Sequence, residues 1–152
     1  IEAIQFTMNH DDGNLIGDIE KSDIILLGVS RTSKTPTSIY LANRGLRTSN
    51  IPLVNENSVP EILKKNPKIS CVVGLTTEPS RLLDLRKNRM NSLRETEPID
   101  YTNLETISKE VEGAKQTFKK YNWPIIDVTR KSVEETAASI IKIHEIYKNN
   151  EK

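Results

Sequence analysis

Residues 24–35 read Ile-Ile-Leu-Leu-Gly-Val-Ser-Arg-Thr-Ser-Lys-Thr, and this stretch decides the fold. Four apolar residues in a row are typical of a strand that is covered on both faces, as strands of parallel sheets are. The small and polar residues after them predict a loop. Thr35-Pro36 predicts the start of a helix, because proline is tolerated at the first helical position. Gly45 predicts the end of that helix, since glycine is common just past a helix terminus.

Apolar strand patterns and helical patterns alternate along the rest of the chain. We predict further strands at 51–54, 70–75 and 124–128, and helices at 1–8, 58–65, 79–90, 104–118 and after Ser132. Thr102 with Glu105, and Ser132 with Glu135, have the spacing of capping boxes. Pro52 predicts an edge position for the second strand. The order predicts an α/β fold, a parallel sheet with helices on both faces, of the P-loop nucleotide-binding type.

Length and composition exclude several classes of protein. A chain of 152 residues predicts one domain, here a single P-loop kinase-like domain over 1–152. A charged fraction of 28% with a net charge of +1 argues against a disordered tail and against a nucleic-acid-binding module. The apolar runs are too short to cross a membrane. The lone Cys71 excludes a disulfide framework and favours a reducing compartment such as the cytoplasm. Because the chain opens at Ile1, we interpret it as the C-terminal part of a longer protein.

The loop after the first strand matches the phosphate-binding pattern G-x-x-x-x-G-K-[ST] except at Ser33, where glycine is expected. In such loops successive backbone N–H groups surround a phosphate, and the helix dipole adds to the attraction. Lys34 would reach the outer phosphates and act in catalysis, and the Thr35 hydroxyl would ligate Mg²⁺. The predicted phosphate site comprises Gly28, Val29, Ser30, Arg31, Thr32, Ser33, Lys34 and Thr35. An ordinary strand-to-helix turn is the alternative interpretation.

Charged residues at other predicted strand ends are candidates for catalysis. Asp127 closes the fourth strand, where it could hold the water shell of Mg²⁺ or orient a target hydroxyl. Its alternative role is to cap the next turn. Arg130 and Lys131 follow and could clamp phosphate, or they could simply form a solvated pair.

Two further clusters carry suitable chemistry. Asp11 or Asp12 could accept a proton from a hydroxyl, and His10 could bind phosphate or shuttle a proton. A polar surface turn is the alternative for that cluster. Arg86 and Arg89 are three residues apart and share a helix face, so they could neutralise a transferring phosphoryl group or form a solvated surface.

The sequence of the loop and its helix is more specific than a general phosphate loop. Residues 28–36 and 38–45 resemble the pyruvate, phosphate dikinase regulatory protein family, which includes the phosphoenolpyruvate synthase regulatory proteins. Further matching segments are His10-Asp-Asp-Gly13, Ile51-Pro-Leu-Val54, Val73-Gly-Leu-Thr76, Trp123-Pro-Ile-Ile-Asp-Val-Thr129 and Glu134-Glu-Thr136. Members of that family carry a further N-terminal region.

The resemblance implies a bifunctional enzyme. Such proteins use ADP to phosphorylate a threonine on the dikinase, which inactivates it, and they remove that phosphate with inorganic phosphate, releasing pyrophosphate. Residues 28–35 would then form the ADP site, and the partner would be the dikinase or phosphoenolpyruvate synthase. Thr32-Ser33 favours the dikinase branch. From the residues alone, a small-molecule P-loop kinase and a non-catalytic nucleotide-binding regulatory fragment remain as alternatives.

Overall fold

A computed structural model describes residues 2–9, 19, 21–29, 32–53, 58–93 and 104–150 of the chain. These residues form the strands β1 (Ile24–Gly28), β2 (Thr48–Pro52), β3 (Cys71–Thr76) and β4 (Ile125–Asp127). They also form the helices α1 (Glu2–Asn9), α2 (Lys34–Asn43), α3 (Glu61–Lys65), α4 (Pro79–Leu93), α5 (Leu104–Lys120) and α6 (Val133–Asn150). All strand pairings are parallel, in the order β2-β1-β3-β4, so the predicted α/β class is confirmed.

Both faces of the sheet are covered, because side chains alternate between two apolar clusters along β1 and β3. On one face Leu27 and Val72 pack with Phe118 of α5 and Leu82 of α4. On the other face the strands meet residues from α2 and α6, among them Leu41 and Ile140. This two-sided burial explains why residues 24–27 are apolar without interruption.

The second strand begins earlier than its sequence suggests. We predicted it at 51–54, but it spans Thr48–Pro52, and its first three residues are buried although they are polar. Their polar groups are satisfied by neighbours: Thr7 of α1 accepts a hydrogen bond from the Thr48 backbone N–H at 3.0 Å, and Asn50 donates to Ser38 at 3.3 Å. Pro52 does lie in an edge strand, as predicted.

The structure confirms one predicted helix start and moves another. At α6 the capping box is confirmed, because the Glu135 N–H donates to the Ser132 hydroxyl at 3.1 Å and the Ser132 N–H donates to the Glu135 carboxylate at 3.3 Å. Helix α2, however, begins at Lys34, so Pro36 is its third residue rather than its first. A proline remains compatible with that position because N–H groups in the first turn have no intrahelical acceptor. Thr102 lies outside the described residues.

The strand order determines where a ligand would bind. From β1 the chain crosses to β2 on one side, and it then returns past β1 to form β3 on the other side. In open parallel sheets of this kind, ligands bind beyond the carboxyl ends of the strands at such a reversal. The loop that follows Gly28 lies at that point.

Two other features bear on the expected environment. Cys71 is buried, and this burial raises the pKa of its thiol to about 12, so it is not a reactive thiolate at neutral pH. None of the described helices combines the length and the apolar composition that a membrane crossing requires.

Candidate functional site

Gly28 ends β1 in a space that only glycine fits. A Cβ atom added there would lie 2.7 Å from the Thr32 hydroxyl oxygen and 2.8 Å from the Leu75 carbonyl oxygen. Both distances are shorter than real Cβ contacts, and the carbonyl belongs to the sheet backbone and cannot move aside. The close return of the loop over β1 and β3 therefore depends on this glycine.

Ser33 has the backbone conformation that glycine normally provides at this position of a phosphate loop. Its φ is 63° and its ψ is 26°, in the left-handed region. The side chain makes no capping hydrogen bond, and the serine carbonyl accepts the first helical bond from the Thr37 N–H at 3.1 Å. Ser33 thus adopts this positive φ although it is not glycine.

Lys34 turns its ammonium group back across the loop. The side chain is buried, and Nζ donates to the Val29 carbonyl at 2.8 Å and to the Thr32 hydroxyl at 3.4 Å. Thr32, itself fully buried, donates to the same Val29 carbonyl at 2.9 Å. These bonds hold the positive charge of Lys34 close to the backbone that follows β1.

Substitutions at Ser33 test the importance of this backbone conformation. We expect Ser33→Gly to change the free energy of unfolding by no more than about 1 kcal/mol, because relief of left-handed strain is offset by the larger backbone entropy of glycine. Ser33→Val should destabilise the loop, since a β-branched residue is strongly disfavoured at positive φ. Chemical denaturation of both variants measures this, and equal stability of the two would contradict the assignment.

The remaining loop positions are placed only in part. Thr35 is exposed in the first turn of α2, beside Lys34. Ser30 and Arg31 lie outside the described residues, and so do His10, Asp11 and Asp12. For those residues the sequence-based predictions stand as predictions.

Asp127 caps the turn that follows β4. One carboxylate oxygen, Oδ1, accepts hydrogen bonds from the Thr129 backbone N–H at 2.9 Å and from the Thr129 hydroxyl. Thr129 is tied in turn to the end of β3, because its hydroxyl oxygen accepts from the Glu78 N–H at 2.9 Å and lies 3.0 Å from the Thr77 hydroxyl. The capping role considered for Asp127 is therefore present in the structure.

The same contacts keep the Asp127 carboxyl ionised. Partial burial raises its pKa, but the two hydrogen bonds from Thr129 and the charges of Lys115 and Lys131 together outweigh this, so the pKa lies below the usual value of 3.8. A carboxylate of this kind is a weak proton acceptor at neutral pH. It is suited to accept hydrogen bonds or to attract cations.

The site residues share one edge of the sheet. Asp127 is paired with Thr76 of β3, and β4 is two strand spacings from β1, about 10 Å. Arg130 and Lys131 follow Asp127 on the same edge and are exposed. The structure thus brings Lys34, Asp127 and these two cations to the carboxyl ends of the strands, as the sequence predicted.

Arg86 has a different role from the one its sequence suggested. It is 1% exposed, and its guanidinium forms an ion pair with Glu110 of α5, with the Nη2 to Oε2 distance at 3.0 Å. It also lies seven residues into α4, about 10 Å along the helix from the carboxyl edge. We therefore correct the phosphate-clamp prediction: Arg86 joins α4 to α5. Arg89 lies in α4, and its side chain is outside the described part of the molecule.

Two residues that our sequence analysis did not single out belong to this site. Thr77 and Thr129 connect the ends of β3 and β4 and fix the position of the Asp127 carboxylate. Their only sequence signal was their place directly after the predicted strands, where side chains of a parallel sheet gather at one edge.

Fold and site together define an α/β domain in which the segment with the phosphate-loop sequence pattern follows the strand at the reversal of a parallel sheet. The sequence profile of the Kinase/pyrophosphorylase family matches residues 1–141. The chain belongs to this family.

Curated relatives agree with that assignment. The chain is 76% identical over 150 residues to a protein of Pelagibacter ubique (strain HTCC1062) named "Putative pyruvate, phosphate dikinase regulatory protein", covering 99% of this chain and 55% of that protein. A protein of the same name from Erythrobacter litoralis (strain HTCC2594) is 53% identical over 146 residues, which is 95% of this chain and 51% of that protein. The chain thus spans about half the length of the relatives that it matches.

Proposed function

We propose that this chain carries the nucleotide site of a bifunctional regulator of pyruvate, phosphate dikinase. Membership of the Kinase/pyrophosphorylase family supports a transferase role, and the names of the relatives support the dikinase as the protein that is regulated. The observation that carries the proposal is the buried Lys34 ammonium, which donates to the Val29 carbonyl at 2.8 Å within the segment that matches the phosphate-loop pattern. Phosphoenolpyruvate synthase is the alternative target.

In the proposed kinase reaction, the hydroxyl oxygen of a target threonine attacks the β-phosphorus of ADP, and AMP leaves. In the proposed dephosphorylation, inorganic phosphate attacks the phosphothreonine phosphorus. The bond to the threonine oxygen breaks, so that the threonine hydroxyl is restored and pyrophosphate is released. Both reactions move one phosphoryl group between oxygen atoms, and both develop negative charge that a cation must stabilise. Lys34 is the buried cation in the loop that would do this.

A magnesium ion would fit this site with few protein ligands. The exposed Thr35 hydroxyl lies next to Lys34, where it could ligate a cation held by nucleotide phosphates. In the described part of the chain, no group of three or more His, Cys, Asp or Glu side chains could hold a metal. Such a site suits Mg²⁺, which usually keeps several waters and binds through phosphates, and the ion would supply charge neutralisation.

Asp127 would act as an oriented carboxylate. Because its pKa is lowered, we assign it to positioning the target hydroxyl or the metal-bound waters rather than to removing a proton. Both roles are the ones that the position of Asp127 at the end of the fourth strand predicted. Proton removal would then fall to another group, for which His10, Asp11 and Asp12 stay candidates from the sequence.

Calorimetric titration of the chain with ADP tests the nucleotide site directly. We expect ADP to bind in the presence of Mg²⁺, because the loop, its strand and its helix all lie within this chain. Phosphate transfer to the dikinase should be weak. Binding of a folded protein usually buries roughly 800 Å² per partner, and the chain spans only about half the length of the relatives that would provide this surface. Failure of a well-folded chain to bind ADP would contradict a self-contained site. Transfer from ATP to a small molecule would favour the small-molecule kinase alternative.

A pair of variants separates the charge of Asp127 from its capping role. Asp127→Asn keeps an oxygen that can accept hydrogen bonds from Thr129 but removes the negative charge. Thr129→Val keeps the charge of Asp127 but removes the hydroxyl that donates to its carboxylate. We expect Asp127→Asn to lower phosphoryl transfer by at least about tenfold with little change in Tm. Thr129→Val should mainly lower Tm. Normal specific activity of Asp127→Asn would reduce Asp127 to a structural cap.

A further inference from the structure

A second concave surface lies at the opposite edge of the sheet from the phosphate loop. It is an open groove of about 330 Å³ between the starts of β3 and β4, the 67–70 segment and the last turns of α6. Trp123, Pro124, Ile143 and Ile146 form much of its apolar lining, together with Tyr147. We refer to it as the amino-edge groove. Its volume is within the range of roughly 300–1,000 Å³ that binding pockets have.

The walls of the amino-edge groove are fixed by hydrogen bonds. The Trp123 indole N–H donates to the Pro67 carbonyl at 2.8 Å, and the Tyr147 hydroxyl donates to the Lys68 carbonyl at 2.9 Å. Both aromatic side chains thus have their polar atoms satisfied and present only apolar surface to the groove. A surface of this kind is preorganised, so a ligand would lose little free energy in ordering it.

Lys68 lines this groove, and it lines an adjoining depression together with Lys120. Segments 61–68, 119–124 and 142–148, which supply or flank its walls, contain seven lysines and two glutamates. The lysines are Lys64, Lys65, Lys68, Lys119, Lys120, Lys142 and Lys148. Of the two glutamates, Glu61 is paired with Lys64 at 3.5 Å. Lysines in the last turns of α3, α5 and α6 also interact favourably with the helix dipoles. That interaction does not account for the open apolar groove between these helix ends.

Ile146 shows that the apolar surface extends to solvent. Its side chain is 54% exposed at the mouth of the groove, one of the large exposed hydrophobic residues among those described. An apolar centre within a charged rim is the usual arrangement of a protein-binding surface, in which buried anchors supply affinity and rim charges supply orientation.

We propose that the amino-edge groove docks an acidic segment of a partner protein, with one or two apolar side chains of that segment inserted between Trp123, Ile146 and Tyr147. Charge complementarity with the lysine rim selects an acidic partner, and the groove accepts its apolar anchor. Because the groove is at the opposite edge from Lys34, this docking is separate from the nucleotide site and does not depend on the proposed phosphoryl transfer.

The test uses a defined probe, a fluorescein-labelled peptide with glutamates on both sides of a central Leu-Phe-Leu, and the whole chain as receptor. Fluorescence anisotropy should show saturable binding that weakens as salt rises. The same peptide with serine for each apolar residue, or with lysine for each glutamate, should bind much more weakly. Equal binding of all three peptides, or no saturable binding of the first, would overturn the proposal.

Variants assign the binding to the groove. Ile146→Asp, and the double variant Lys68→Glu with Lys120→Glu, should each weaken probe binding by about tenfold or more. Matched controls away from the groove are Leu104→Asp, also an exposed apolar residue, and Lys87→Glu, also an exposed lysine. These controls should bind within about twofold of the wild type. Sedimentation of the wild type and of Ile146→Asp monitors self-association. If Ile146→Asp binds the probe normally, or if the variant alters only self-association, the groove does not bind an acidic segment.

Discussion

Lys34→Met should lower phosphoryl transfer by about two to three orders of magnitude while leaving the fold intact. The ammonium is buried and held by the Val29 carbonyl at 2.8 Å, so it is fixed within the loop that we propose to bind the phosphates. Removing one preorganised donor of this kind usually costs about 3 kcal/mol in the transition state, or a factor of roughly 100 to 1,000 in rate. Methionine is close to lysine in length and is apolar, so burial of the side chain itself remains favourable.

The measurement has two parts. Transfer from ADP to the dikinase is followed with the full-length form of the variant, and ADP affinity is followed by calorimetry with this chain. Lys87→Met, at an exposed lysine of α4, is the matched control and should keep both properties. Wild-type transfer rates in Lys34→Met would defeat the assignment of the phosphate loop. Loss of thermal stability comparable to loss of activity would assign Lys34 a structural role instead.

The sequence predicted the framework of this site because the framework depends on local patterns. An apolar run followed by small residues and a helix start is visible in residues 24–35 alone, and so is the departure from glycine at Ser33. Strand β2 was placed too late because its first residues are polar. Their burial depends on Thr7 and Ser38, which lie elsewhere in the chain.

Long-range partners explain the other differences. Arg86 looked like a surface cation because nothing near it in sequence shows that Glu110, 24 residues later, would pair with it. The link from Thr77 to Thr129 spans 52 residues and joins two strand ends that only the fold brings together. Sequence patterns therefore identified the residues of one loop, whereas side chains that depend on a distant partner could not be assigned.

Gly74 in β3 should show the largest effect on stability. A Cβ atom added there would lie 2.4 to 2.6 Å from three ring atoms of Phe118. Phe118 is fully buried within the cluster between the sheet and α5, so the ring has no free space to enter. Overpacking of this severity costs up to about 3 kcal/mol. For a chain of this length we expect Gly74→Ala to lower Tm by roughly 6–12 °C.

Gly113 provides the matched control, because it carries the same substitution with the opposite expectation. It lies in α5, and an added Cβ would meet nothing within 4 Å. Gly113→Ala should therefore stabilise the protein by about 0.5–1 kcal/mol, since alanine loses less backbone entropy in a helix. In a Gly74→Ala background, Phe118→Leu should be much less damaging than in the wild type, because the smaller side chain makes room for the new methyl group. If the two substitutions instead add independently, Gly74 and Phe118 are not in the close contact that fixes α5 against β3.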